Sequence, residues 1–440
     1  MSDGVRRLRD ALQEVGYTVD GVAGLLGPGA TAALARDEPV PAERATRGGS
    51  PLETLVRLFL LQLPVPAAAA AAALPLPDVL ALGLVAQTGG LVRAEVDLRP
   101  YAAAQTTGET GPDAAPDTGP RAGGEPAWWV VADLGPALAG RPPRPVRADH
   151  VLGVGGASTT LAQLTVRDPV DRALDLGTGC GVQALHLARH AGAVTGTDVN
   201  PRALRFARLT AALSGTALEL REGDLFAPVA GRRFDLVVAN PPFVVGEVTD
   251  PAAYVEMWLR DAGEGPEVPG YPQWYDGWLA ALEDAGVEGV GFGLVALHAG
   301  GAADPDVRVE DWPYPVAQPL GPWVAGHLAG VAAVRSLAAD AALLATRFVV
   351  RPDVVQEQVG PPGAEDPERI ILRQQRGLRR ARAVDTGDAA LVGACDGTLP
   401  VGPLLDAVAA LLGADPAALR AARPDHVRAL VADGFLQPAG

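Results

Sequence analysis

The sequence predicts an α/β fold: a parallel sheet with helices on both faces, flanked on each side by a helical or winged-helix-like module. Three observations carry this prediction. From about Asp149 to Trp312, apolar runs of strand length alternate with runs of helical period. A glycine-rich turn, Asp175-Leu176-Gly177-Thr178-Gly179-Cys180-Gly181, lies between one such strand and the helix after it. A later strand of the series, Phe234–Ala239, runs directly into Asn240-Pro241-Pro242-Phe243.

At 440 residues the chain is long for one core, and it reads as three domains, 1–148, 149–318 and 319–440. Val5–Val15 has helical spacing and Gly16 stops it; Thr54–Leu61 reads as a buried helix. Two extended runs follow, Leu91–Leu98 and Ala127–Leu134, and helices followed by such a hairpin suggest a winged-helix-like domain. Between the runs, residues 103–126 are Gly, Thr, Pro and Asp with little to bury, so a mobile hairpin tip is expected. In the middle domain strands are expected at Ala173–Leu176, Ala193–Thr197, Leu218–Glu222, Asp235–Ala239 and Gly289–Ala299, with helices at Gly181–His190 and Pro201–Leu213. Beyond the Asn-Pro-Pro strand, helices fit Pro251–Ala262 and Tyr275–Ala285, and Val307–Trp312 is a further candidate strand. The last third opens on an arginine-rich stretch, Arg369–Arg382. It then reads as helix, a turn at Asp396-Gly397, a helix at Leu404–Leu412 and a helix at Pro424–Asp433.

Composition limits the function classes. All 36 basic residues are arginine, and against 52 acidic residues they leave a net charge of −16. So acidic a chain disfavours a broad electrostatic footprint on nucleic acid, although a local basic patch remains open. The absence of lysine and the wealth of Ala, Gly and Pro point to GC-rich coding, which weakens a disorder reading from Pro and Gly alone. Two cysteines, Cys180 and Cys395, make no disulfide framework and fit a reducing compartment. Met1–Arg7 lacks the apolar core of a secretory signal, and the greasiest segment, Pro64–Ala86, is broken by Pro64, Pro66, Pro75, Pro77 and Asp78. A cytoplasmic protein without a membrane span is expected. The six histidines show no metal-ligand spacing, so no metal is expected.

The glycine turn has the chemistry of a cofactor loop. Gly177, Gly179 and Gly181 let the backbone turn sharply and approach a ligand, and the helix after them offers free N–H groups. The spacing G-x-G-x-G differs from the dinucleotide pattern G-x-G-x-x-G, since the third glycine comes one residue early and Val182 stands where that pattern needs it. Asp198 ends the next strand, where a carboxylate can take both hydroxyls of a ribose, while capping of the helix at Pro201 is its competing role and the main role of Asn200. Asp224, after the third strand, can accept from an adenine amino group with Leu225 or Phe226 against the ring. Cys180 lacks a partner for chemistry and reads as packing, as do Trp128 and Trp129 in the hairpin.

On these motifs the chain resembles the class I S-adenosylmethionine-dependent methyltransferases. It is similar to the small-domain branch with an Asn-Pro-Pro-aromatic motif, which includes release-factor glutamine methyltransferases and amino-methyltransferases of rRNA and DNA. The likeness covers roughly residues 150–245, and the flanks resemble those of multi-domain actinobacterial members more loosely. It implies a Rossmann-like sheet, S-adenosylmethionine as cofactor and S-adenosylhomocysteine as product. By residue, it implies Asp175, Gly177, Gly179 and Gly181 at the methionine end, Asp198 at the ribose, and Asp224 with Leu225 at the adenine. Thr160, in Gly155–Leu161, is the loose counterpart of a threonine-bearing helix start, with plain capping by Ser158 or Thr159 as the alternative. Asn240, placed near the cofactor, would accept one hydrogen bond from a target –NH2, the Pro241 carbonyl the other, and Phe243 would stack on the target's flat face.

The chemistry stands apart from the resemblance. An amide or aromatic amine nitrogen is a poor nucleophile because its lone pair is delocalised. Two acceptors out of its plane favour a pyramidal nitrogen and aim that pair at a sulfonium methyl group, so alignment supplies much of the rate. The partner is expected to be macromolecular, a protein glutamine or an RNA, and Arg369, Arg373, Arg376, Arg379, Arg380 and Arg382 are the candidate nucleic-acid contact, with a solvated or inter-domain salt-bridged stretch as the equal alternative. One departure from the family pattern stands out. After Phe243 only two strands can be placed where three are expected, so the wall of the target pocket is in question.

Overall fold

The computed structural model describes residues 3–36, 38–102, 128–135, 147, 149–240, 250–261, 264–266, 268–289, 293–299, 307–310, 312, 314, 316–362 and 367–439. They form two compact units, one of residues 1–162 with 168–294 and one of residues 163–167 with 295–440.

The first unit begins with α1 (Asp3–Glu14), α2 (Val19–Leu34), α3 (Val40–Ala45) and α4 (Pro51–Leu55), the last continuing through a π turn at Val56–Leu60. In α1 the apolar residues Val5, Leu8 and Leu12 fall on one buried face, and Gly16, with φ +73°, ends the run. A capping box starts α4: Ser50 Oγ accepts from the Glu53 N–H and a Glu53 oxygen accepts from the Ser50 N–H. Then come β1 (Val65–Pro66), α5 (Ala67–Ala73), α6 (Leu76–Ala81), β2 (Val85–Thr88), β3 (Leu91–Ala94), β4 (Asp97–Tyr101) and β5 (Trp128–Ala132).

Here the single extended run expected over Leu91–Leu98 is corrected. Leu91–Ala94 turns back on Val85–Thr88, and only Asp97–Tyr101 pairs with Trp128–Ala132. The reason is local: Gly89 and Gly90 both have positive φ (+58° and +79°), the backbone of a two-residue hairpin turn that side-chain-bearing residues resist. The expected hairpin tip, residues 103–126, lies outside the described residues.

Next come α7 (Gly156–Leu164), β6 (Val170–Leu176), α8 (Val182–Leu187), β7 (Ala191–Asp198), α9 (Pro201–Leu213), β8 (Glu219–Glu222) and β9 (Leu236–Ala239). The four strands are all parallel, in the order β8-β7-β6-β9. Ala173, Val194 and Val238 of the sheet bury against Ala184 and Leu187 of α8. The chain steps outward from β6 to β7 and β8, then returns to the other side of β6 as β9. The order therefore reverses between β6 and β9, and at such a switch point an α/β sheet opens a crevice at its carboxyl ends.

The sheet does not stand alone in this unit. Val182, Leu185, Phe206, Leu209 and Leu213 of α8 and α9 belong to one core with Leu8, Leu12, Trp129 and Val131. Polar links run along the same seam: the Val131 N–H donates to Thr210 Oγ1 at 3.0 Å, and Trp129 Nε1 donates to the Tyr17 carbonyl at 2.8 Å. Trp128 and Trp129 are packing residues, as expected.

Helices α10 (Pro251–Asp261) and α11 (Tyr271–Asp284) follow, the second starting four residues ahead of its expected Tyr275. The strands expected at Gly289–Ala299 and Val307–Trp312 are corrected. Gly289, residues 293–299, residues 307–310 and Trp312 carry no strand, and residues 290–292 and 311 lie outside the described set. Apolar character alone does not make a strand; its N–H and C=O groups need a partner ladder, and Leu297 is 89% exposed. Among the described residues the sheet ends at β9.

The second unit holds α12 (Gly321–Ser336), α13 (Asp340–Leu344), β10 (Arg347–Val350), β11 (Val354–Val359), β12 (Arg369–Gln374), β13 (Ala381–Val384), α14 (Thr386–Ala394), β14 (Asp396–Pro400), α15 (Val401–Leu412), α16 (Pro416–Ala422), α17 (Pro424–Ala432) and β15 (Leu436–Pro438). Two three-stranded antiparallel sheets, β14-β10-β15 and β11-β12-β13, accompany the helices. The turn expected at Asp396-Gly397 is corrected to the start of β14, where the Val350 N–H bonds the Cys395 carbonyl and draws the chain into a ladder. Phe348, Leu391, Leu405, Leu430 and Phe435 centre this unit's core. The arginine-rich stretch forms β12, β13 and their connection. Arg373 pairs with Glu357 at 2.6 Å, Arg380 with Glu310 at 2.7 Å and Arg382 with Asp433 at 2.7 Å. Among the described residues no helix is long and apolar enough to cross a membrane.

Candidate functional site

The glycine loop leaves β6 at the switch point and is held by three residues, Asp175, Thr197 and Asp198. Asp175, 1% exposed, is turned into the protein: its Oδ2 accepts from Thr178 Oγ1 at 2.6 Å and from the Ala184 N–H at 3.0 Å. Burial pushes this carboxyl up to about 6, against the lowering by those two hydrogen bonds, and the charge of Asp198 adds to the rise. The Thr178 N–H bonds the Thr197 carbonyl of β7 at 2.8 Å, and the Gly179 N–H bonds Asp198 Oδ2 at 2.9 Å. Asp175 thus organises the loop from beneath, while the tip of β7 ties it from the side.

Two glycines are needed for different reasons. Gly179 has φ +53°, and a Cβ on it would point into open space, so the backbone there faces room for a ligand. Gly181 has φ +86° and starts α8, and its Cβ would sit 3.2 Å from Ala207 of α9, so it permits close packing of the helices. Gly177 resembles Gly179, with φ +71° and open space beside it. Cys180, buried between them, has its thiol pushed up to about 11 by burial first, which leaves it protonated and inert at neutral pH.

Asp198 ends β7 half-buried. Its Oδ2 takes the Gly179 N–H and its Oδ1 takes the Asn200 N–H at 2.9 Å. A carboxylate offers about four lone-pair positions, so about two remain for a ligand's hydroxyls. Asn200 caps α9 through the Arg202 N–H at 2.9 Å, as its sequence position suggested. The Gly223 N–H reaches the Asp198 carbonyl at 3.0 Å, which brings the loop after β8 to the same rim. On that loop Asp224 is exposed, and Leu225 and Phe226 are 63% and 53% exposed, unusual for large apolar side chains.

The sheet register brings in the remaining strand. Ala239 of β9 pairs with Leu176 of β6, so Asn240, exposed, follows one residue beyond that pairing, beside the strand that leads into Gly177. Pro241 and Phe243 lie outside the described residues. Thr160 sits half-buried in α7. Capping by Ser158 or Thr159 is corrected: α7 already begins at Gly156, so both lie within its first turn, and Thr159 Oγ1 donates back to the Gly155 carbonyl at 3.1 Å. The start of α7 is tethered instead by Gln183, whose Nε2 donates to the Ser158 carbonyl at 2.7 Å. Asp133 and Arg202, joined beside this rim, were not singled out from the sequence, and an Asp and an Arg 69 positions apart carry no local signal. Among the described residues no group of three or more His, Cys, Asp or Glu is placed to hold a metal ion.

The class this arrangement belongs to agrees with family comparison. Residues 153–264 match the family described as methyltransferase small domain, so the resemblance read from the motifs stands for this segment. Residues 14–95 and 325–438 match two families described as domains of unknown function, DUF7059 and DUF7782. Among curated relatives, the release factor glutamine methyltransferase of Deinococcus radiodurans is 48% identical over 75 residues, 17% of this chain and 27% of the relative. The ribosomal RNA small subunit methyltransferase C of Alcanivorax borkumensis is 42% identical over 72 residues, 16% of this chain and 22% of the relative. The ribosomal protein uL3 glutamine methyltransferase of Xanthomonas campestris pv. campestris is 38% identical over 104 residues, 22% of this chain and 34% of the relative. The chain thus spans about a third or less of the length of these relatives.

Proposed function

We propose that this chain is an S-adenosylmethionine-dependent N-methyltransferase acting on a planar nitrogen of a macromolecule, with a protein glutamine amide as the favoured substrate. The observation that carries the reading is the register of β9 on β6, which sets Asn240 beside the glycine loop at the sheet's switch point. The residues present suit the cofactor. Open space flanks Gly177 and Gly179, Asp198 keeps lone pairs for two ribose hydroxyls, and exposed Leu225 beside Asp224 offers an apolar face and an acceptor to an adenine. When bound, the cofactor supplies an electrophilic methyl group on a sulfonium. Asp175 holds the loop in shape, Gly181 seats α8, and Thr160 of α7 is assigned to the site by the family pattern. The Asn240 side-chain oxygen and the Pro241 carbonyl accept from the target –NH2 and pyramidalise it; Phe243 stacks on its plane.

The division into domains 1–148, 149–318 and 319–440 belongs to this reading and is supported by three separate family segments. The glutamine preference is supported by two glutamine methyltransferases among the relatives above, by the net charge of −16, and by Arg373, Arg380 and Arg382 being matched with acids. A nucleobase amine in rRNA is the second reading, favoured by the RNA methyltransferase relative and by the arginines at 369–382. Binding of cofactor with little catalysis is a third, favoured by a sheet that ends at β9 among the described residues.

Transfer of label from S-adenosylmethionine to purified release factors, ribosomal protein and ribosomal RNA separates these readings. Label on protein that is lost in Asn240→Ala, by on the order of 100-fold, supports the glutamine reading. Label on RNA, weakening steeply with salt, replaces it with the second. Turnover unchanged in Asn240→Ala removes the proposed amine site.

A further inference from the structure

We infer that Asp133, on the hairpin that precedes the methyltransferase sheet, is a positioning residue for the cofactor site, acting through Arg202 on Asp198. The inference rests on the reading of Asp198 as the ribose acid. Arg202, in the first turn of α9, donates through Nε to both Asp133 oxygens at 3.0 and 3.1 Å, and its Nη2 donates to Oδ1. Asp133 Oδ2 also accepts from the Val151 N–H at 2.9 Å, and the Asp133 N–H bonds the Val151 carbonyl at 3.0 Å. Asn200 Nδ2 donates to the Asp149 carbonyl at 3.0 Å. The strand of chain at 149–151 is thereby stitched to β5 on one side and to the start of α9 on the other.

The chain of bonds continues inward without a gap. The Arg202 N–H bonds Asn200 Oδ1, the Asn200 N–H bonds Asp198 Oδ1, and Asp198 Oδ2 holds the Gly179 N–H. A guanidinium held by a carboxylate in this forked geometry has little rotational freedom, so the first turn of α9 is locked where Asp198 meets it. Asp133 is 6% exposed and the Arg202 side chain 21%, and the guanidinium lies over the Phe206 ring at 4.8 Å, so the pair is largely buried. Such a contact differs from a surface ion pair, whose worth is small. A carboxylate that must present two lone pairs to two hydroxyls at once is sensitive to displacements well below 1 Å. The flanking domain on this view belongs to the cofactor site.

The test measures affinity for S-adenosylmethionine by calorimetry on the full chain, together with thermal midpoints and steady-state kinetics. Asp133→Asn and Arg202→Gln are each expected to weaken binding on the order of tenfold, as loss of an orienting partner does elsewhere. The double variant should lose no more than either single one, because both remove the same link. The apparent KM for cofactor should rise while kcat at saturation stays. Arg205→Gln is the control. Arg205 Nη2 joins α9 to the Leu82 carbonyl at 2.6 Å but lies outside the bonds that reach Asp198, so its affinity should be unchanged. Should Arg202→Gln not fold, Arg202→Lys keeps the charge without the fork and is read in its place. Folded variants that bind within twofold of the wild type overturn the inference, as does an equal loss in Arg205→Gln. If the wild type binds no S-adenosylmethionine, it is the proposed function that fails instead.

Discussion

Gly181 and Asp175 show how single side chains decide the loop. An alanine at 181 would carry its Cβ 3.2 Å from Ala207 at a φ of +86°. Gly181→Ala is therefore expected to lower unfolding free energy by about 1–3 kcal/mol in chemical denaturation, with the loss coming from strain and crowding together. Asp175 has the opposite character, a satisfied but buried acid raised to about 6. Because its folded value lies above its unfolded value, its contribution to stability is fully present below about pH 4 and is lost as pH rises through about 6. Over that window the loss is about 3 kcal/mol. Asp175→Asn should flatten the fall in stability between about pH 4 and 7 relative to the wild type; an unchanged slope in denaturant midpoints would refute the assignment.

At the scale of elements, three strand tips act as one unit. The loop after β6, the end of β7 and the loop after β8 are joined through Asp198, by its two oxygens and its backbone carbonyl. Removing that carboxylate takes away the proposed ribose acceptors and the Gly179 tether at once. Asp198→Ala is expected to weaken S-adenosylmethionine binding by about 3 kcal/mol, on the order of 100-fold, read by calorimetry on folded protein. The arginine-rich stretch is an element-scale lesson of another kind. As a run of residues it suggested a phosphate track or a salt-bridged stretch; Arg373 of β12, Arg382 of β13 and Arg380 between them each form an ion pair with an acid.

For the whole first unit, the decisive fact is the shared core. Leu8, Leu12 and Trp129 pack in one cluster with Leu185, Phe206 and Leu213, so the methyltransferase sheet borrows the cover for α8 and α9 from residues far upstream. A fragment of residues 153–264 is expected to behave as a molten state, with far-UV but little near-UV circular dichroism and strong dye binding. Residues 1–294 should restore the near-UV signal. A fragment of 153–264 with sharp, cooperative unfolding would contradict this view of the unit.

The sequence by itself determined the features that depend on a few neighbouring residues. The glycine loop at 177–181, the Asn200 cap ahead of Pro201, the extent of α9 and the four strands β6–β9 all follow from backbone preference and apolar period. Its errors had local causes too. The paired positive φ at Gly89 and Gly90 belongs to a hairpin that turns Leu91–Ala94 back on Val85–Thr88, and the described residues of the apolar run at 289–299 have the composition of a strand but join no ladder. Only the tertiary structure decided the strand order that sets Asn240 beside the glycine loop, the inward turn of Asp175, and the joining of Asp133 to Arg202 across 69 positions. The physical reason is range. Dihedral and capping preferences act within a turn or two, whereas register, burial and ion pairing depend on which distant surfaces exclude water together.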